Sequence, residues 1–139
     1  MDKLFRRLTL LVNTPLPKRP NLKHYYIVLT DPVFAQNEEY VAWVSWTSYY
    51  DDPDTDTSCF LDVGDHGAIN HKSWVDYSRA EIKAVREIKN GLRKGTIEQL
   101  NELVREDVYR RILGGLYTSE NTDPRVEMFC RQHVCLDRQ

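Results

Sequence analysis

Continuous apolar blocks dominate the first half of the chain, and they have the composition of buried strands. Residues 25–30 (YYIVLT) and 39–48 (EYVAWVSWTS) are rich in aromatic and β-branched side chains, which strands favour. The pair Asp31-Pro32 closes the first block, and this dipeptide favours a turn. We therefore predict two strands, which can pair antiparallel across the loop between them.

A polar loop separates two further predicted strands, residues 59–63 (CFLDV) and 73–78 (SWVDYS). In the second of them, the alternation of a strand places Trp74 and Asp76 on the same face. The loop between the strands reads GDHGAINH and holds two of the four histidines of the chain. The segment AEIKAVREIKNGL follows, and it fits either a continued strand or a short helix, because Glu, Lys and Ala favour helices.

Helical spacing is clearest in the second half of the chain. Residues 97–113 carry a one-sided apolar stripe at positions 100, 103, 104, 108, 112 and 113, which is typical of an amphipathic helix. Thr96 is a suitable N-cap, and the pair Gly114-Gly115 is a suitable stop. The pattern predicts a C-terminal amphipathic helix over 96–113.

The two ends of the chain are less regular. Residues 2–13 fit a short helix, with a strand over LTLLV as the alternative, and residues 125–136 fit a last short helix. The three prolines of TPLPKRPN exclude a helix and a central strand after residue 13. An extended arm or linker is expected there.

The order of the elements indicates the fold class. Strands that come first and helices that come later predict an α+β domain, or a small barrel with helices appended. A chain of 139 residues is long enough for one core, so we predict a single domain over 1–139. Its expected parts are an N-terminal arm (1–23), a β-barrel core (24–90), the helix (96–113) and a C-terminal tail (114–139) that can include a short helix.

Charge and cysteine content narrow the class of protein. The formal net charge is −2, so the chain as a whole lacks the basic character of many nucleic-acid binders. Its lysines and arginines cluster in two sections, however, and would form a basic patch if these converge on one face. Three cysteines, an odd number, fit a reducing cytoplasm better than a disulfide framework. No run approaches about 20 apolar residues, so no membrane span is expected.

The first candidate site lies where two predicted strands end. His24 stands at the mouth of one buried strand, and Thr47 and Ser48 end the next. An imidazole titrates near neutrality and can act as a general acid or base. The two hydroxyls can donate to phosphate oxygens, and Lys23 can stabilise negative charge. The alternative is ordinary hydrogen bonding at strand ends.

The second candidate site is the polar loop, which holds Asp65, His66 and His71 and is followed by Ser73. An Asp-His pair can orient an imidazole for catalysis. In the alternative, Gly64-Asp65 makes the turn, Asp65 caps backbone amides, and His71 and Ser73 bond across the loop. The loop could also share one cleft with His24 and Thr47.

Three sets of residues resemble metal sites without completing one. Cys59 with His66 and His71 matches no familiar zinc spacing. The acidic loop DDPDTDT lacks the glycine and the final glutamate of a calcium loop. Cys130, His133 and Cys135 would not share one face of a terminal helix. No metal and no cofactor are predicted.

The order of the segments resembles that of the MazF/PemK-like toxins. HYYIVLTDP looks like the first strand of that family, VAWVSWTS like its second, and SWV like its Ser-x-Val strand. RAEIKAV looks like the segment that follows, and GTIEQLNELVREDVYRRIL looks like the final helix. The resemblance covers about residues 24–113, and it extends to uncharacterised bacterial proteins with a similar arrangement.

This resemblance implies a small, strongly curved antiparallel β-barrel of the SH3-like type with a C-terminal amphipathic helix. It also implies a metal-independent endoribonuclease of a bacterial toxin-antitoxin system, which acts on single-stranded RNA. Such a protein would be cytoplasmic, homodimeric and neutralised by a cognate antitoxin protein. His24, preceded by Lys23, stands where the family has an arginine implicated in cleavage, and GDHGAINH is outside the family pattern. A divergent branch of the superfamily is therefore expected.

Two other functions fit the same residues. A catalytically silent SH3-like barrel that binds nucleic acid or a protein partner is favoured by the missing arginine and by the acidic balance of the chain. A metal-dependent hydrolase would instead use His66 and His71.

Overall fold

The computed structural model describes residues 3–134, which form an α+β fold. The sheet has seven strands: β1 (Thr9–Asn13), β2 (Lys23–Val28), β3 (Val33–Ala35), β4 (Glu38–Ser48), β5 (Phe60–Leu61), β6 (Ser73–Ala84) and β7 (Ile97–Gln99). The helices within these residues are α1 (Val85–Lys94), α2 (Glu106–Thr118) and α3 (Pro124–His133). The strand order is β5-β6-β4-β2-β1-β7, with β3 paired to β4, and every pairing is antiparallel.

An irregularity between the two longest strands curls the sheet into a half-barrel. Trp43 of β4 pairs with Glu81 of β6, whereas Ser45 pairs with Asp76, so β6 contains extra residues that β4 does not match. Extra residues in one strand bend it and increase its local twist. The long β4–β6 ladder is therefore bent at this point.

Both faces of the sheet are covered, which explains the continuous apolar blocks of the central strands. Ile27 of β2 belongs to a core formed with α2 and α3, and its neighbour Val28 belongs to a second core formed with α1 and the N-terminal segment. Successive side chains of a strand point to opposite faces. Both residues are fully buried for this reason.

The strands predicted from these blocks are confirmed. The block 25–30 falls on β2, the block 39–48 falls on β4, and the two strands pair antiparallel. Both alternatives for the segment after residue 78 occur in succession, because β6 continues to Ala84 and α1 starts at the next residue. The predicted strand 59–63 is shorter, with only Phe60–Leu61 in the sheet.

The N-terminal predictions of a helix over 2–13 and an arm over 1–23 are wrong, and the alternative strand is right. Residues Thr9–Asn13 form β1, which pairs with β2 on one side and β7 on the other. TPLPKRPN is not a linker but the connection of the β1–β2 hairpin, closed by a bridge between Leu16 and Arg19. The prolines lie beyond the ladder, where they remove no sheet hydrogen bond.

The helix predicted over 96–113 is also wrong in its first half. Residues Ile97–Gln99 are strand β7, and the helix α2 begins only at Glu106. The apolar stripe includes a residue that precedes the helix: Val104 lies before α2 and yet packs in the same core as Val108 of α2. Local spacing alone does not show where the helix begins.

The predicted stop at Gly114-Gly115 lies inside α2, which continues to Thr118. Gly115 is needed there for close packing, because an added Cβ would collide with the hydroxyl of Tyr77. That hydroxyl donates to the carbonyl of Ile112 at 2.6 Å and ties the helix to β6. The predicted last helix is confirmed as α3, whose N-cap Asp123 accepts from the amide of Arg125; positions 135 and 136 of that prediction lie outside the described residues.

Within residues 3–134, no helix combines the length and the apolar character that crossing a membrane would require.

Candidate functional site

A cleft of about 350 Å³ opens at one end of the sheet, where β2 begins, β4 ends and β6 begins. One wall comes from the β1–β2 hairpin, and the opposite wall comes from residues 68–71 of the polar loop. Six of the eight residues predicted from the sequence line this cleft: Lys23, His24, Thr47, Ser48, His71 and Ser73. The two candidate sites predicted from the sequence therefore share one cavity, except for Asp65 and His66.

Antiparallel register explains why these residues meet. Ser48 of β4 pairs with Ser73 of β6. On the other side of β4, Trp46 pairs with Tyr25 of β2, and one further step of this register sets His24 opposite Thr47. The end of one strand adjoins the start of its antiparallel neighbour, so polar residues from three strand termini collect at the same edge.

His24 is half-buried, and its Nδ1 lies 2.7 Å from the hydroxyl oxygen of Thr14. Burial lowers the pKa of His24 below its ordinary value of 6.5, the charge of Arg79 lowers it further, and Asp76 acts in the opposite direction. The imidazole is consequently in its neutral form at pH 7, as a general base requires. The Thr14 hydroxyl donates to the carbonyl of Leu22, so its oxygen can accept from Nδ1–H, and that tautomer leaves the lone pair of Nε2 for a proton.

The cleft has a positive lining. Arg19 and Lys23 contribute two cations, and the described residues around the cavity include no aspartate or glutamate. Among the residues of the described part of the chain, neither cation forms a salt bridge. Clefts lined by one sign of charge concentrate ligands of the opposite sign. This cleft suits an anion such as a phosphate group, although the whole chain has a net charge of −2.

Aromatic rings form the floor and part of the mouth. Tyr25 and Trp46 are stacked, with ring centroids 5.1 Å apart and planes inclined by 16°. Tyr50 lies just beyond the end of β4 and remains 78% exposed, with its ring centroid 6.0 Å from that of His71. The floor is packed and fixed, whereas the Tyr50 ring presents free surface.

His66 lies outside the cleft and has a structural environment. Its side chain is buried, packs beside Trp46, and accepts a hydrogen bond at Nδ1 from the amide of Ala68. Nε2 therefore carries the hydrogen, and it lies 3.2 Å from the Thr9 hydroxyl and 3.3 Å from the Glu102 carbonyl. The predicted orientation of His66 by Asp65 is wrong, because the bonds of this ring go to other residues.

Asp65 also points away from the cleft. It accepts from Arg111 at 3.0 Å and from the amide of Asp62 at 2.8 Å. The hydrogen bond from Arg111 is the main reason why the pKa of Asp65 lies below its ordinary value of 3.8. The alternative prediction that Asp65 caps a backbone amide is confirmed, and the Ser73 hydroxyl bonds to the His71 carbonyl at 3.0 Å as that alternative expects.

The structure brings no metal site together in residues 3–134, since no group of three or more His, Cys, Asp or Glu side chains there is arranged to hold an ion. Cys59 is buried near Tyr77, and burial raises the pKa of its thiol. Cys130 lies in the first core, where burial raises the pKa of its thiol to about 12. Cys135 lies outside the described residues.

Two residues of the cleft, Arg19 and Tyr50, are not among the eight predicted site residues. Arg19 lies in the segment interpreted as a linker, and only the pairing of β1 with β2 brings it to the cleft. Tyr50 comes two residues after Ser48. Its position just past the end of a predicted strand is the feature of the sequence that indicates a place near the cleft.

Comparisons with protein-family models, with curated proteins and with solved structures find no match to this chain.

Proposed function

We propose that this chain is a divergent MazF/PemK-like toxin, a metal-independent endoribonuclease that cuts single-stranded RNA in the cleft. The observation that carries the proposal is the convergence of two histidines, two hydroxyls and two cations in one cavity: His24, His71, Thr47, Ser48, Lys23 and Arg19. All of these groups except Arg19 have a task in the cleavage of a ribose phosphodiester, and Arg19 adds positive charge to the cleft.

The reaction begins with attack of the ribose 2′-hydroxyl on the adjacent phosphorus. His24 takes the proton of that hydroxyl, which its lowered pKa permits at pH 7. The new 2′-O–P bond forms as the P–O5′ bond breaks, and His71 gives a proton to the departing 5′-oxygen. The products are a 2′,3′-cyclic phosphate and a 5′-hydroxyl, and no metal ion takes part.

The charge that develops on the phosphate needs donors at fixed positions. Lys23 supplies a cation beside the phosphate, and the hydroxyls of Thr47 and Ser48 supply neutral donors. All three stand on the ends of β2 and β4, so the sheet holds them at fixed distances.

The curled antiparallel sheet is compatible with the SH3-like barrel of the toxin family, and α2 would correspond to the family's final helix. The resemblance further leads us to propose a cytoplasmic homodimer that a cognate antitoxin protein neutralises.

The test is incubation of labelled single-stranded RNA with the purified protein in the presence of a chelator. Cleavage is expected, and His24→Ala should lower its rate by about 10²- to 10⁴-fold, the usual contribution of a general acid or base. His133→Ala, on the exposed side of α3, is the matched control and should cleave normally. Thermal unfolding of both variants verifies that they are folded. No cleavage by the unaltered protein, together with normal growth on overexpression, contradicts the proposal.

A second candidate is a silent barrel that binds RNA without cutting it. It is favoured by His24 itself, which replaces the arginine of the family and is tied to Thr14 at 2.7 Å. Salt-sensitive RNA binding without turnover would identify this function.

A further inference from the structure

We infer that the cleft holds one unpaired nucleotide, with its base stacked on Tyr50 and its phosphate facing Arg19 and Lys23. This inference deepens the proposed function and rests on it for the identity of the ligand as RNA. It assigns a substrate-positioning role to Tyr50, which the cleavage chemistry does not use.

The exposure of Tyr50 is the first argument. The ring is 78% exposed at the mouth of a polar cleft, while its neighbour Tyr49 is partly buried against Phe60. An exposed aromatic face gains free energy when a nucleobase covers it, and this gain is tolerant of base identity. His71 stands beside the Tyr50 ring, so the stacked base lies next to a proposed catalytic group.

The arrangement of charge is the second argument. In the sheet, β4 lies between β2 and β6. The cations belong to the β2 side of the cleft, since Arg19 is in the hairpin loop and Lys23 starts β2. Tyr50 and His71 belong to the connections of β4 and β6. The cleft therefore offers a phosphate-binding wall and a base-stacking wall, which matches the two ends of one nucleotide.

This geometry selects single strands over duplexes. In a duplex both faces of each base are covered by its neighbours, whereas a splayed base in a single strand can stack on a side chain. A volume of about 350 Å³ lies at the small end of ligand pockets, which is consistent with one nucleotide rather than a helix.

The exposed aromatic ring of Phe34 lacks these companions. Phe34 is 70% exposed on β3, beside Glu39 at the opposite end of β4 from the cleft. It is a suitable control, because its substitution removes exposed aromatic surface without touching the cleft.

The experiment measures binding of a single-stranded 2′-O-methyl oligonucleotide, which the 2′-hydroxyl mechanism cannot cut, by the unaltered protein and three variants. Tyr50→Leu should weaken binding by about 5- to 150-fold, the range expected for loss of one base–aromatic stack. Tyr50→Phe keeps the ring and should bind as the unaltered protein does, and so should Phe34→Leu. With an oligonucleotide that carries one abasic position, scanned along the chain, the effect of Tyr50→Leu should vanish at one position.

The outcomes separate this inference from the nuclease proposal. Equal binding by Tyr50→Leu and the unaltered protein, or equal binding of duplex and single strand, overturns the stacking site even if RNA is cleaved. A Tyr50 effect on binding without any cleavage of ordinary RNA upholds the stacking site and rejects the nuclease. Binding of a protein partner that Tyr50→Leu abolishes, without any effect on RNA, also overturns it.

Discussion

The two halves of the polar loop between β5 and β6 contain similar residues in different environments. Asp65 and His66 are held by the body of the protein, through Arg111, Thr9 and the Glu102 carbonyl. His71, a few positions later, lines the cleft together with Ser73, the first residue of β6. The first half of the loop is an anchor, and the second half is a wall.

The type of a residue therefore does not decide its role. An Asp-His pair is a familiar catalytic combination, yet here both side chains satisfy buried or backbone groups. A buried imidazole that makes several hydrogen bonds stabilises its loop, whereas the exposed imidazole of His71 lines the cleft and is accessible to a ligand. The role of each side chain depends on whether it lies at the strand ends that form the cleft.

The largest expected effect is on the rate of cleavage and comes from a substitution in the second half of the loop, the wall. His71→Ala should lower the rate of RNA cleavage by about 10²- to 10⁴-fold, because it removes the proposed general acid. The side chain is exposed, so the free energy of unfolding should change by no more than about 0.5 kcal/mol. Cleavage assays combined with thermal unfolding check both parts. Unchanged cleavage would remove His71 from the mechanism and leave the wall without a catalytic role.

A substitution in the anchor, the first half of the loop, should instead lower the stability of the protein. His66→Ala leaves the buried Thr9 hydroxyl and the amide of Ala68 without their partner, and an unsatisfied buried polar group costs about 1–3 kcal/mol. Denaturant unfolding should show a loss in this range. His71→Ala is the control on the same loop. If the two variants were equally stable, the contrast between anchor and wall would be wrong.

Part of this arrangement could be predicted from the sequence. β2, β4 and the first half of β6 have local compositions that strands favour, and antiparallel pairing brings their ends together. For this reason the chain order alone is enough to place His24, Thr47 and Ser48 at strand ends. The hydrogen bond from a backbone amide to Asp65 was also among the alternatives.

The other features of the fold and the site depend on contacts between residues that are distant in the chain. The pairing of β1 with β2 makes the proline-rich segment a hairpin, and only this pairing carries Arg19 to the cleft. Strand β7 has three residues, too few for a periodic pattern, and it lies in line with the apolar stripe of α2. The burial of His66 depends on Glu102, which is 36 residues away in the chain.

The smallest expected effect concerns pH and tests the anchor through Asp65. The pKa of this carboxyl is held below 3.8 chiefly by the hydrogen bond from Arg111. A group whose pKa is lowered by folding stabilises the protein fully above its unfolded pKa, and this contribution is lost as the pH falls through its folded pKa. Asp65→Asn should therefore cost about 1 kcal/mol at pH 7, as expected for a partly exposed ion pair, and the cost should shrink as the pH is lowered toward 3. Unfolding curves of both proteins between pH 7 and pH 3 measure the difference.

The matched control for this pH series is Asp62→Asn, three residues earlier and exposed, which should change stability by less than about 0.5 kcal/mol. Because Asp62 meets Asp65 through its backbone amide and not through its carboxylate, this substitution leaves the Asp65–Arg111 pair in place. A difference for Asp65→Asn that stays constant over the same pH range would mean that the pair does not hold the loop through its charge.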